Sequence, residues 1–319
     1  MRRGVAALGL CSWDRFLIVD RYPDAGGYAI VDHRFEQAGG TTANTCAALA
    51  RLGVEVTIAS AVGADSEGDA CIEALDAAGC DTSLIYRKED QATDSGIILV
   101  SDSNGTPERT ILWIKGAQPR HGDKLPVEML LDHHWLFLDV NDDLLRKFIL
   151  SLPVHLSPRT KIAGAMTFLV DSGRETGMDH LLEHDVMFGN RRELMYLTGA
   201  VDLEDAIQRV QQRMIGSACQ VIYLTLGDRG SLAIRPHSVI AAPAHKVDVV
   251  DTTGAGDAFA GGALSGLVEG LDDESILRRA NAVGALCCTA LGSRAGLPDM
   301  ESVRNMIDLE LARASDPFS

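Results

Sequence analysis

The sequence of 319 residues contains no C-x-x-C pair, no apolar run of the ~18 residues needed to span a bilayer, and too few basic residues to balance its acids. Its seven cysteines (Cys11, Cys46, Cys71, Cys80, Cys219, Cys287 and Cys288) are odd in number and scattered. That pattern sets aside a disulfide framework or a zinc ribbon, and the residues read as small core side chains in a reducing cytoplasm. Lys plus Arg number 29 against 45 Asp plus Glu, a formal charge of −16. Such a field repels phosphate backbones and anionic lipid, so nucleic acid and membrane surfaces are excluded as main partners. A small anion is not excluded, because a local nest of backbone N–H groups outweighs a diffuse field. G-x-x-x-x-G-K-[ST] and G-x-S-x-G are also missing, which argues against a P-loop and a hydrolase elbow. Asp132-His133-His134 has no helical His-x-x-x-His partner and reads as a strand start rather than a metal site.

What remains is ordinary globular composition, 46% hydrophobic and 23% charged. The apolar run Gly4–Cys11 after Met1-Arg2-Arg3 ends at Trp13-Asp14-Arg15 without a small-residue cleavage pattern, so it reads as a first buried strand. Short strand patterns follow at 15–20 and 28–35. Gly39-Gly40 opens a small-residue helix over 41–52, Val54–Val62 is apolar and strand-like, and 69–78 is an amphipathic helix ended by Gly79. Gly96–Val100 and Arg109–Ile114 have hairpin character. From Trp135 onward strand patterns (135–138, 161–165, 186–189, 221–225) alternate with helical ones, which predicts a parallel sheet covered on both faces. Asp272 caps a long apolar-faced helix running toward Gly292, and a last helix spans about 300–312. With no internal repeat or low-complexity linker, 1–319 is expected to be one α/β domain. The β-rich pieces near 15–37 and 94–116 are expected to form a separate small sheet.

The chemistry concentrates in Val247 to Leu264. A β-branched run feeds Asp251-Thr252-Thr253-Gly254-Ala255-Gly256-Asp257, and a helix of small residues follows. Free N–H groups at a helix start, with the macrodipole, make an anion site. G-x-G-x-x-G fails, because its third Gly position holds Phe259. A carboxylate at an anion-binding turn is unhelpful for holding phosphate alone. It makes sense if a hydroxyl arrives there and must lose its proton to attack phosphorus. The positive helix end is expected to keep Asp257 ionised. Gly261 and Gly262 each cost roughly 1 kcal/mol of helix propensity, which implies close packing against another backbone.

Six motifs in order carry a resemblance: Gly9-x-x-x-x-Asp14, Gly39-Gly40-Thr41-Thr42-Ala43-Asn44, Gly63-x-Asp65-x-x-Gly68, Asn190-x-x-Glu193, Thr225-x-Gly227-x-x-Gly230, and Asp251 to Asp257. Together they resemble the ribokinase-like (PfkB) carbohydrate kinases. The resemblance implies a central, mostly parallel sheet flanked by helices, with a small β lid that can clasp a homodimer. It implies transfer of the ATP γ-phosphate, with Mg²⁺, to a hydroxyl of a small sugar or nucleoside. Asp257 would be the general base, and the amides of Gly254, Ala255 and Gly256 the anion hole. Asp14, Gly40, Thr41 and Asn44 would hold the sugar. Asn190 and Glu193 would organise Mg²⁺ through water, although the same pair also reads as a plain helix cap. Thr225, Gly227 and Gly230 would line the nucleotide, and Arg109 would reach its phosphates from the lid. Asp251 and Thr253, with the Gly292 region, resemble a monovalent-cation (K⁺) site.

Substrate choice is less sharply marked. Thr41 stands where members acting on sugar phosphates commonly carry Lys, which favours a non-phosphorylated sugar. Val19-Asp20-Arg21-Tyr22-Pro23 and Arg109-Thr110-Ile111-Leu112 look most like ketohexokinase and fructokinase-type members. The expectation is a ketohexose or pentose kinase. The alternatives are a nucleoside kinase, with Trp13, Tyr28 and Phe35 stacking the base, and a non-catalytic binder that keeps the fold.

Overall fold

The alternating patterns close into a nine-stranded sheet of order β13-β12-β11-β10-β9-β8-β1-β4-β5. The structure, a computed structural model, describes residues 2–101, 108–152 and 160–314. Strands β1 (Arg2–Gly9), β4 (Val56–Gly63), β5 (Asp81–Lys88), β8 (His133–Asp139), β9 (Lys161–Ala165), β10 (Val186–Asn190) and β11 (Val221–Thr225) are mutually parallel. The edge strands β12 (Ser231–Arg235) and β13 (Ser238–Ala242) add on antiparallel. Every residue of β4 is buried, as expected of a parallel strand covered on both faces. β5 has no counterpart in the sequence expectation. It is an edge strand in which only Leu84 is buried, so its apolar signal is weak.

The chain leaves β1 toward β4 on one side and builds β8 to β11 on the other. The order therefore reverses between β1 and β8, and in such sheets the crevice beyond the carboxyl ends at that reversal receives ligands. Gly9 and Asp139 stand side by side there.

A second sheet has the order β3-β2-β6-β7, from β2 (Ser12–Val19), β3 (Val31–Gly39), β6 (Ser95–Ser101) and β7 (Glu108–Ile114). Phe16, Ile98 and Val100 form its core, with Ile18 and Phe35 packed on them. The expected turn between β6 and β7 falls on 102–107, outside the described residues.

Helix α1 (Thr41–Arg51), α2 (Ser66–Ala78), α3 (Val127–Leu131), α4 (Asp143–Ser151), α5 (Arg174–Glu183), α6 (Arg191–Thr198) and α7 (Leu203–Met214) precede the C-terminal trio α8 (Ala255–Glu269), α9 (Asp273–Cys287) and α10 (Met300–Ala314). Asp272 caps α9 by accepting from Ser275 N at 2.8 Å. The helix ends at Cys287 rather than at Gly292. Val250 N and Asp251 N both donate to the Cys288 carbonyl, and the following loop turns back toward the crevice. The two costly glycines of α8 explain themselves here. A Cβ on Gly261 would lie 2.7 Å from Ala48 Cβ, and one on Gly262 would lie 2.9 Å from Ala280 Cα.

Overpacking at such a contact forces backbone shifts. G262V is expected to lower unfolding free energy by about 1–3 kcal/mol in urea titration. Unchanged stability would contradict the close approach of α8 and α9.

Candidate active site

A cleft of about 490 Å³ opens at the β1/β8 reversal, between the carboxyl ends of the parallel strands and the small sheet. The Gly254 turn and the first turn of α8 form one wall. Gly254 adopts a left-handed conformation (φ 78°) as the residue before the helix, and a Cβ there would strike Ser293 at 2.7 Å. Only glycine fits that corner. Asp257, two residues into α8, turns its carboxylate into the cleft, where Asn44 Nδ2 donates to Oδ2 at 2.9 Å. Gly256 lies among the first helical N–H groups, which have no acceptor one turn back.

Ala255 departs from the expected anion hole. Its N–H donates to Thr252 O at 3.3 Å, closing the tight turn, and it does not line the cleft. Ionisation of Asp257 also differs from expectation. Burial, reinforced by the charges of Asp139 and Asp14, pushes it up to about 7 against the Asn44 and Arg109 contributions. Desolvation outweighs the helix end, and the result is a carboxyl poised near neutral pH, where a general base works best.

The sugar-binding candidates come together around it. Asp14, Gly40, Thr41 and Asn44 all line the cleft. Asp14 is buried, accepts from Ser12 Oγ at 2.8 Å, and is raised to about 6 by desolvation. Thr41 Oγ1 donates to Asp139 Oδ2 at 2.5 Å. No sequence motif marks Asp139, although an acid ending a parallel strand is a usable signal. It is 2% exposed, its Oδ1 has no partner among the described residues, and burial raises it to about 6. A buried carboxylate oxygen left unpaired beside a cleft is costly unless a ligand completes it.

At the other end, Asn190, Glu193 and Thr225 line the cleft, whereas Gly227 and Gly230 lie in the turn beyond β11. Asn190 and Glu193 form a complete capping box: Asn190 Oδ1 accepts from Glu193 N (3.0 Å) and Glu193 Oε2 from Asn190 N (2.9 Å). The cap and the cleft position coexist. Arg109 reaches across from β7, its Nη1 donating to Thr252 O and Oγ1, both at 3.1 Å. Asp251 is buried; its Oδ1 accepts from Thr253 N and Oγ1, and its Oδ2 from Gly292 N at 2.8 Å. These bonds tie the loop before α8 to the loop after α9.

The three aromatics expected to stack a base do not line the cleft. Trp13 Nε1 donates to Glu36, Phe35 stacks on Phe16 at 4.6 Å, and Tyr28 is 76% exposed. Lid packing and solvent claim them. Trp113, tilted over Phe168 at 5.7 Å, lines the cleft in their place. The His133 ring is within 3.0 Å of Met129 O, and no cluster of three or more His, Cys, Asp or Glu suited to a metal occurs among the described residues.

Residues 2–300 match the model of the pfkB family of carbohydrate kinases. The chain belongs to that family. It is 31% identical over 297 residues to the ATP-dependent ribose-1-phosphate kinase of Halopiger xanaduensis, covering 91% of this chain and 93% of that protein. It is 28% identical over 278 residues to the deoxyribokinase of Salmonella typhimurium, covering 85% and 88%. The structure of Arabidopsis thaliana ribokinase complexed with ribose and ATP superposes with a TM-score of 0.82 at 23% identity, covering 96% of this chain and 99% of that one. The pfkB protein described here is thus an ATP-dependent kinase with an alcohol acceptor. The family assignment stands, while these two relatives carry the names of a ribose-1-phosphate kinase and a deoxyribokinase, not of a ketohexokinase or fructokinase.

A carboxyl raised by burial binds a proton in the fold that the unfolded chain has released. Between about pH 4 and 6 Asp139 therefore costs stability as pH rises, and the full cost is present above that window. D139N is expected to gain about 1–2 kcal/mol at pH 8 and almost nothing at pH 4, measured by urea unfolding. Equal effects at both pH values would contradict the burial of a charged form.

Proposed function

We propose that this kinase phosphorylates a hydroxyl of a neutral pentose with MgATP, and that Asp257 is the general base. The observation that carries the reading is the Asn44-held Asp257 carboxylate at the start of α8, facing the cleft beside Gly254 and Gly256. The acceptor hydroxyl gives its proton to Asp257 as its oxygen bonds to phosphorus and the bond to ADP breaks. The Gly256 amide and the positive end of α8 lie where charge builds on the transferred phosphoryl. Arg109, anchored over Thr252, adds a positive charge on the same side. Asp14, Asn44 and Asp139 offer acceptors and an amide donor to the sugar hydroxyls.

Hard oxygen donors suit Mg²⁺, and Asn190 and Glu193, which line the nucleotide end of the cleft, would hold it through water. When bound, the ion neutralises charge on the ATP phosphates. Closure of the small sheet keeps water from the transferred group.

Neutrality of the acceptor rests on charge. Arg109 is the one Lys or Arg lining the cleft among the described residues, against Asp14, Asp139 and Asp257 at the sugar end. Pentose rather than ketohexose rests on the relatives, whose names share a ribose-type ring. A homodimer through the small sheet belongs to the same reading, since Ile30, Val31 and Leu112 are exposed there. A second reading is favoured by the 31% identical relative and by Arg109: a pentose 1-phosphate whose anion pairs with that guanidinium.

ADP release over ribose, deoxyribose, ribose 1-phosphate, fructose and adenosine separates these readings. Turnover of ribose or deoxyribose is expected, and D257N is expected to cut kcat by about 10²–10⁴-fold. Exclusive turnover of ribose 1-phosphate would replace the neutral-acceptor reading with the second one. Wild-type turnover by D257N would overturn the base assignment.

A further inference from the structure

Behind Asp257 lies a run of hydrogen bonds that the reaction as described does not use. It starts in the loop between α9 and α10. Arg294 Nε donates to Asn44 Oδ1 at 2.8 Å, and Ser293 Oγ donates to the same oxygen at 3.2 Å. Both lone pairs of that carbonyl are therefore taken. The amide cannot rotate by half a turn, because its NH₂ would then face the Arg294 and Ser293 donors and its oxygen would face a carboxylate. It is held with Nδ2 toward Asp257 Oδ2.

Arg294 is itself fixed, since Nη2 donates to Gly39 O at 3.1 Å, at the end of β3. Ser293 Oγ receives Gln37 Nε2 at 3.0 Å, again from β3. Two residues of the small sheet thus hold the two donors that set Asn44. The remaining guanidinium nitrogen, Arg294 Nη1, is buried without a partner among the described residues. A group kept for packing alone is seldom left so incompletely bonded.

We propose that Arg294 is a positioning residue for the base: by locking the Asn44 amide it pins Asp257 Oδ2 and leaves Oδ1 to receive the proton of the acceptor hydroxyl. The inference rests on Asp257 being that base. A cationic donor also polarises the amide and strengthens its bond to the ionised carboxylate. This counters the groups that disfavour ionisation, namely burial and the carboxylates of Asp14 on β2 and Asp139 on β8. Arg109 on β7 also favours ionisation of Asp257. Because Gln37 and Gly39 belong to the small sheet, the base is fully set only when that sheet is seated.

The test is steady-state kinetics of R294M, R294K and S293A across pH 5 to 9, with ribose or whichever sugar of the panel turns over, on variants whose thermal unfolding is recorded alongside. R294M is expected to lose about 10–100-fold in kcat, with little change in KM for ATP. The acidic limb of its kcat/KM profile is expected to move toward higher pH. R294K should recover part of both effects, and S293A should lose less than R294M. On a D257N background, R294M should cost almost nothing further. A pH-independent loss in R294M, or the same fold-loss with and without Asp257, overturns the positioning role while leaving the base in place. Wild-type turnover by D257N alone removes the base, and the positioning role with it.

Discussion

Everything in the cleft depends on one carboxylate held where water is scarce. Asp257 stands at the start of α8, within reach of its positive end, yet burial and the neighbouring Asp14 and Asp139 set its protonation. The two influences oppose each other, and desolvation wins. An exposed Asp in the same helical turn would be a weak base, ionised but with little affinity for a proton. Half-buried and flanked by Asp14 and Asp139, Asp257 is pushed up to about 7, which suits a group that must take a proton from an alcohol and release it again.

The fold supplies this environment at a cost. The order of strands reverses between β1 and β8, so the chain opens a crevice there, lined by Thr41 and Asp139. α8 must come in against α1 and α9 to bring Asp257 across. It can do so because Gly261 and Gly262 accept nearly touching neighbours. The glycines weaken the helix locally and the buried acids weaken the fold at high pH. Both costs fall on elements that form the site.

Much of this was readable from the chain. The Gly254-Ala255-Gly256-Asp257 stretch announces a tight turn and a helix start, and the paired glycines of α8 announce close packing; the β-branched run before it forms no strand, its Val250 and Asp251 amides donating instead to the Cys288 carbonyl. The later strands were legible as apolar runs between helical patterns, and Lys161–Ala165 and Val221–Thr225 form where their composition placed them. β5 was not legible, because an edge strand with one buried residue leaves no apolar run. Arg294 and Ser293 were hidden for a different reason. They sit in a loop past α9, and only the folded chain brings them within reach of Asn44, some 250 residues earlier. The protonation of Asp257 is not legible in the sequence, which displays the helix end but not the desolvation that outweighs it. Trp13, Tyr28 and Phe35 face a base only under the nucleoside-kinase alternative that the family resemblance leaves open, and the lid's own packing has the stronger claim on Phe35.

The claim at the centre is that burial, rather than the helix end, governs Asp257. Carbon-13 NMR of the aspartate carboxylates, followed from pH 4 to 9 in the ligand-free protein and assigned by its loss in D257N, measures this directly. A resonance titrating near 7 is what the account predicts. A resonance titrating at or below 4, the ordinary aspartate range, would contradict it.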